Sequence, residues 1–304
     1  MKINLLNLQK RNIKGMKNIR TLIGGLIILL ASGGINSLNA EGAVRYSSDS
    51  DTIKIRQLIE AASGEDNHGK KIVAAARVMK GLPQAPAADN DFEGTIVIRM
   101  DSVSQKEFLN LALAAAKASY AYNAGILEFE KALEDVSRKK GVDEGFSSQF
   151  HYGSDWIVDN VYRGNVKEMT DLFNGGNFRT KTLDYVSHHK DQYPALADST
   201  MLDKIKIVEM GYRSHRIPHQ KKQSINNKSL LSAFEDGDII MMLAPDHDFD
   251  VYDLGIVTIK DGQPYLIHIS RQTGVVEEDD YPLPRLFKIE GQHFYGYRWL
   301  RPTE

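Results

Sequence analysis

The stretch "YDLGIVTIKDGQPYLIHIS", residues 252–270, decides the fold. It holds two runs rich in Ile, Val, Leu and Tyr, separated by "KDGQ". Asp-Gly between two such runs is a strong hairpin signal, because both residues tolerate the positive φ of a tight type I′ turn. Upstream, "DGDIIMMLA" (236–244) reads as a further strand, and "HFYGYRWL" (293–300) as a fourth. The C-terminal half is therefore expected to form an antiparallel sheet.

Before residue 215 the period is different. "TIKIRQLIEAAS" (52–63), "KKIVAAARVMKG" (70–81), "ILEFEKALEDVSRKK" (126–140) and "STMLDKIKIVEMGYR" (199–213) carry apolar residues at helical spacing. Gly81 and Pro83 stop the second of these. "TIVIRM" (95–100) reads as a short strand, followed by a polar turn and a helix from about Ser104 to Ala121. "SSQFHYGSDWIVDNVYRG" (147–164) reads as partly helical. Helices first and an antiparallel sheet afterwards predict an α+β fold, with a helical N-terminal half packed on the C-terminal sheet.

The first forty residues stand apart. They hold six bases, no acid, and the apolar run "TLIGGLIILLASGG" followed by small residues, the pattern of a secretory signal peptide. The run is short for a membrane span, which needs about 20 residues. The expected organisation is a signal peptide over 1–40 and one domain over 41–304, periplasmic or secreted, with no membrane span in the mature chain. Removing the signal leaves 32 bases against 40 acids, about −8. Nucleic acid is a poor partner for such a chain, since phosphate binding needs clustered Lys and Arg. The chain has no cysteine. It can form no disulfide, carry no lipid on a cysteine and run no thiol chemistry.

Several spaced motifs occur in order: "GLPQ" (81–84), "MDSVSQKEFLNLALA" (100–114), "SSQFHYGSDWIVDN" (147–160), "GDIIMML" (237–243) and the hairpin itself. Over roughly residues 70–299 the chain resembles the N-acetylmuramoyl-L-alanine amidase-like family, within the NlpC-type, papain-like peptidoglycan hydrolases. That resemblance implies a papain-like domain with a nucleophile at a helix start. The family pattern there is Asp-Cys-x-x-Phe-x-Glu. Asp101 matches, and Ser102 stands at the cysteine. The family's general-base histidine opens a Ser-His-Val-Gly-Ile strand, where this chain has Asp253. The third polar residue, from the next strand, is retained as His268. A family tyrosine corresponds to Gln84 and an arginine to Gln149, while His151 and Tyr152 match. The resemblance thus implies catalytic positions Ser102, Asp253 and His268, and substrate-binding positions Asp101, Gln84, His151 and Tyr152; Trp156 is a further candidate for lining a sugar- or peptide-binding groove.

The substitutions fall on the chemistry. A helix N-terminus and an imidazolium can hold a thiolate, but they cannot ionise a serine hydroxyl, which needs a positioned base. Aspartate, with an ordinary pKa of about 3.9, is poorly matched to that task. Ser102, Asp253 and His268 have the composition of a triad, yet the acid would touch the serine and the histidine would sit behind the acid, the wrong order. Ser104 lies three residues before Glu107 and Ser102 three before Gln105, so both also read as helix caps. His268 also reads as a buried strand histidine, and Trp156 as core.

Other constellations carry less. "HRIPH" (215–219) has His-x3-His spacing, but Pro218 argues against the helix that would align the rings. "DHDFD" (246–250) lacks the glycine and terminal glutamate of a calcium loop. No metal and no cofactor is expected. The leading expectation is an exported, catalytically degenerate amidase-like protein that binds peptidoglycan fragments, or a protein partner, without cutting. The alternatives are a residual hydrolase using Ser102 or a carboxylate pair, and an interaction protein without wall affinity.

Overall fold

The computed structural model describes residues 44–86, 95–140, 145–172, 177–245 and 249–304. The expected signal peptide lies outside these residues, as do parts of the "QAPAADND" loop, Gly141 and residues 246–248 of the acidic loop.

The described residues open with β1 (Val44–Tyr46), α1 (Asp49–Ser63) and α2 (His68–Val78), then β2 (Ile96–Ile98), α3 (Gln105–Ala118) and α4 (Ile126–Ser137). β1 and β2 pair in parallel as a small sheet of their own. α5 (Gly153–Tyr162), β3 (Val166–Glu168), β4 (Asn177–Lys181), α6 (Ser199–Met210) and β5 (His215–Lys221) follow. The chain ends with β6 (Ile239–Leu243), β7 (Val251–Lys260), β8 (Gln263–Ile269), β9 (Val276–Glu278), α7 (Leu283–Glu290) and β10 (Gly296–Pro302). Among the described residues the main sheet has the order β4-β5-β10-β6-β7-β8-β9, with β3 also pairing β10. Its pairings are antiparallel. The mixed α+β expectation holds.

The hairpin is where the sequence places it. Asp261 and Gly262 adopt φ of 50° and 71°, which allows the two-residue turn between β7 and β8. The strands missed by sequence reading are β1, β3, β4, β5 and β9. "HRIPH" forms β5, paired with β4, and is not a helix.

Both faces of the sheet are covered. Ile239, Met241, Ile256 and Ile267 join Ile55, Leu58, Ile72, Phe108 and Phe129 of the N-terminal helices in one core. Ile240, Met242, Val257 and Leu266 face the other way, against Leu286 and Phe287 of α7 and Trp299. That explains why "IIMML" is apolar without alternation. Each fully buried side chain of this size contributes about 1.5–3 kcal/mol of transfer free energy.

α3 is fixed at its start by a capping box. Ser104 Oγ accepts from Glu107 N (3.2 Å), and Glu107 Oε2 accepts from Ser104 N (2.7 Å). The turn before it is tied down by α1, whose Asp51 carboxylate accepts from Met100 N at 3.0 Å. Residues 83–85 pair with Val103 and are pinned to the segment after β8 through Gln84 N to Gly274 O, 2.8 Å. These contacts set the first residue of α3 against the start of β7.

Candidate functional site

The start of β7 carries Asp253, which is buried (2 % exposed), and β8 carries the equally buried His268. His268 Nδ1 donates to Asp253 Oδ2 at 2.9 Å. The approach depends on Gly255, which pairs directly with His268. A Cβ on Gly255 would lie 2.6 Å from Leu266 Cγ and 2.9 Å from His268 Cβ. The other face of the imidazole meets Asp279, with Nε2 to Oδ1 3.6 Å. Burial, the largest single influence, would lower the imidazole pKa. The two flanking carboxylates outweigh it and push His268 up to about 10. The ring is an imidazolium at neutral pH, held between two anions.

Three of the roughly four acceptor sites of the Asp253 carboxylate are taken within the fold. Its Oδ1 accepts from Leu254 N at 2.8 Å and from Gln105 Nε2 at 2.7 Å, and its Oδ2 is taken by His268. Gln105 is the first residue of α3. A carboxylate only accepts, so the amide nitrogen of Gln105 must face Asp253 and its carbonyl oxygen must face away.

Of the three residues expected at the catalytic positions, the structure brings together Asp253 and His268. It does not bring Ser102 to them. Ser102 Oγ donates to Asp101 Oδ1 at 3.0 Å on the outside of the turn. Ser102 is not the cap either; that role belongs to Ser104. Asp101 is exposed and meets Ser102, away from the cleft lining. Sequence reading missed Gln105. The motif gives two registers: Phe108 lies three residues after Gln105, as the aromatic follows the cysteine in Asp-Cys-x-x-Phe, while Asp101 and Glu107 fit the register with Ser102.

Beside Gln105 lies a cleft of about 410 Å³, lined among others by Gln84, Gln149, His151, Trp156, Phe249 and Arg271. Four of the five expected substrate-binding residues therefore border it: Gln84, His151, Tyr152 and Trp156. Two of them have structural duties as well. Tyr152 OH donates to Glu209 Oε1 at 2.7 Å and is buried, and Trp156 Nε1 donates to Asn110 Oδ1 at 3.0 Å. His151 Nε2 lies 2.9 Å from Phe146 O. Burial first, then the charge of nearby Lys106, holds His151 down to about 3, so it is neutral. Asp250 Oδ1 and Oδ2 accept from Gly153 N and Ser154 N, placing a carboxylate on the N-terminus of α5 at the cleft wall.

Among the described residues no cluster of three or more His, Asp or Glu side chains could hold a metal ion. His215 and His219 lie on one strand, where His219 packs edge-on against Tyr295. No helix among the described residues is long and apolar enough to cross a membrane.

A family model described as N-acetylmuramoyl-L-alanine amidase-like matches residues 84–289. A crystal structure of an N-acetylmuramoyl-L-alanine amidase from Bacteroides uniformis ATCC 8492 superposes with a TM-score of 0.68 at 22% identity, over 78% of this chain and 99% of that one. A Bacteroides fragilis structure carrying a provisional xylanase name gives 0.64 at 23% identity, over 74% and 98%. A protein of Legionella pneumophila str. Philadelphia 1 gives 0.65 at 16%, over 84% and 95%. At these identities the structural likeness speaks for the fold. No curated protein matches the chain significantly.

Proposed function

The chain belongs to the N-acetylmuramoyl-L-alanine amidase-like family, and from that premise we propose that it is a catalytically silent member, exported, that binds peptidoglycan fragments without cutting them. In this reading the domain has the papain-like layout of NlpC-type hydrolases, with a helix start, a strand start and the next strand supplying three polar residues. Gln105, rather than Ser102, occupies the nucleophile position, Asp253 the base position and His268 the third.

The observation that carries the proposal is the hydrogen bond from Gln105 to Asp253. Covalent amide hydrolysis needs a group that can present an electron pair to the carbonyl carbon, and a base that takes its proton. A carboxamide offers no such nucleophile. Asp253 is buried and covered by Gln105, so a substrate proton does not reach it. His268, whose base form would require losing a proton held between two carboxylates, is out of reach behind Asp253. A cleft of about 410 Å³ lies beside Gln105. Export is supported by the basic-apolar pattern of residues 1–40.

The test is to incubate the protein with an N-acetylmuramoyl-peptide and analyse the mixture by mass spectrometry. Intact substrate is expected. Release of free peptide that disappears in Gln105→Ala or Ser102→Ala would sink the proposal.

A further inference from the structure

Two atoms of the cleft have a polarity set by their other partners. Gln105 spends its Nε2 on Asp253, so Oε1 is left as an acceptor; no group among the described residues bonds it. His151 places Nε2 on the Phe146 carbonyl, which can only accept. That nitrogen therefore carries the ring's hydrogen, and the neutral ring presents Nδ1 as a bare acceptor. Both residues line the cleft. A site poised to cleave an amide would present a nucleophile and donors for the developing oxyanion. This one is lined by two side chains that offer acceptors.

The field behind Gln105 has the same sense. Asp253, Asp279 and Glu290 gather there with His268 and Arg271, three anions against two cations. Asp279 Oδ2 is buried and has no hydrogen-bond partner. Arg271 is turned back onto the Tyr252 ring (4.1 Å) and the Tyr252 carbonyl. On the cleft side stand the Asp250 carboxylate, which caps α5, and two cations, Arg271 and Lys106, whose Nζ donates to Phe150 O at 3.2 Å. The excess negative charge thus lies behind Gln105, on the side of Asp253.

Resting on the reading of the cleft as a silent peptidoglycan-fragment site, we propose that its ligand is a peptide with a free α-amine, the ammonium seated on Gln105 Oε1. An acylated peptide offers one neutral N–H at that place; a free terminus offers three N–H groups and a charge. The ligand is then the product class of amide hydrolysis, in which water adds across the C–N bond to leave a carboxylic acid on the acyl side and an amine on the peptide. An active amidase must act first to supply it.

The test uses three ligands in isothermal titration at neutral pH: a stem peptide released by an active amidase, the same peptide N-acetylated, and the intact N-acetylmuramoyl-peptide. The free-amine peptide is expected to bind at least tenfold tighter than the other two, and Gln105→Leu is expected to erase that preference. A melting curve confirms that the variant is folded. If the N-acetylated or intact form binds as tightly, or if Gln105→Leu keeps the preference, the free-amine assignment is overturned while fragment binding stands. If none of the three binds, fragment binding itself fails, and this inference with it.

Discussion

Gln105 and Asp253, 148 residues apart in sequence, are joined by a 2.7 Å hydrogen bond at the point where α3 meets β7. The bond closes a polar chain that runs Gln105, Asp253, His268, Asp279 from the cleft into the interior. The first residue is half-buried and neutral; the other three are buried and charged. Such an array is stable only as a unit, because each charge depends on its neighbour.

Removing the middle of the array should therefore be costly. Asp253→Ala strands His268 with one distant carboxylate and leaves Gln105 unbonded. A loss of about 3–5 kcal/mol is expected, read as a shifted urea midpoint with an unchanged slope. A loss below about 1 kcal/mol would show that the array is not an energetic unit.

The same array predicts a pH dependence. His268 is raised from 6.5 to about 10 in the folded state. A raised histidine stabilises the fold fully below the unfolded pKa, and the contribution fades as pH climbs from about 6.5 through about 10. Urea midpoints of the parent protein should fall across that window more steeply than those of His268→Gln. In NMR, the His268 ring should stay protonated between pH 5 and 8. Parallel midpoint curves for the two proteins would refute the coupling.

The two serines of the turn should separate cleanly. Ser104→Ala removes the cap of α3 and should cost about 1 kcal/mol. Ser102→Ala loses one bond to exposed Asp101 and should change the melting temperature little. Labelling of Ser102 by an active-serine probe would contradict its placement.

Gly255 should tolerate no side chain. In Gly255→Ala the new methyl would meet Leu266, the Ile267 carbonyl and His268 at 2.6–2.9 Å. The strands must separate there, at a cost of about 1–3 kcal/mol. An alanine variant as stable as the parent would mean that the β7–β8 approach is looser than the structure has it.

Much of this fold was legible because its signals are local. Alternating and β-branched runs with an Asp-Gly turn gave β7 and β8, and the Ser104–Glu107 spacing gave the start of α3. β3 and β9 are three residues long and carry no periodicity to read. β5 contains Pro218, which counts against a central strand as well as a helix. The site was half legible. Asp253 and His268 stand on strands whose register is set by the hairpin, so their meeting follows from pairing. Gln105 was overlooked because a hydroxyl resembles a thiol more than an amide does, and the turn offered two serines nearby. The proposed reading instead follows the spacing to Phe108, which packs into the core and so fixes the helix phase, over the matches of Asp101 and Glu107. Asp250 capping α5 at Gly153, 97 residues away, has no local signature at all.

The most direct measurement restores what the site lacks. Gln105→Cys combined with Asp253→His places a thiol at the helix start and an imidazole beside it. Incubated with an N-acetylmuramoyl-peptide and followed by mass spectrometry, the double variant should release free peptide, while the parent and the Ser102→Cys/Asp253→His variant should not. A folded double variant that stays inert, or a parent that cuts on its own, would contradict the account of a hydrolase scaffold silenced at Gln105 and Asp253.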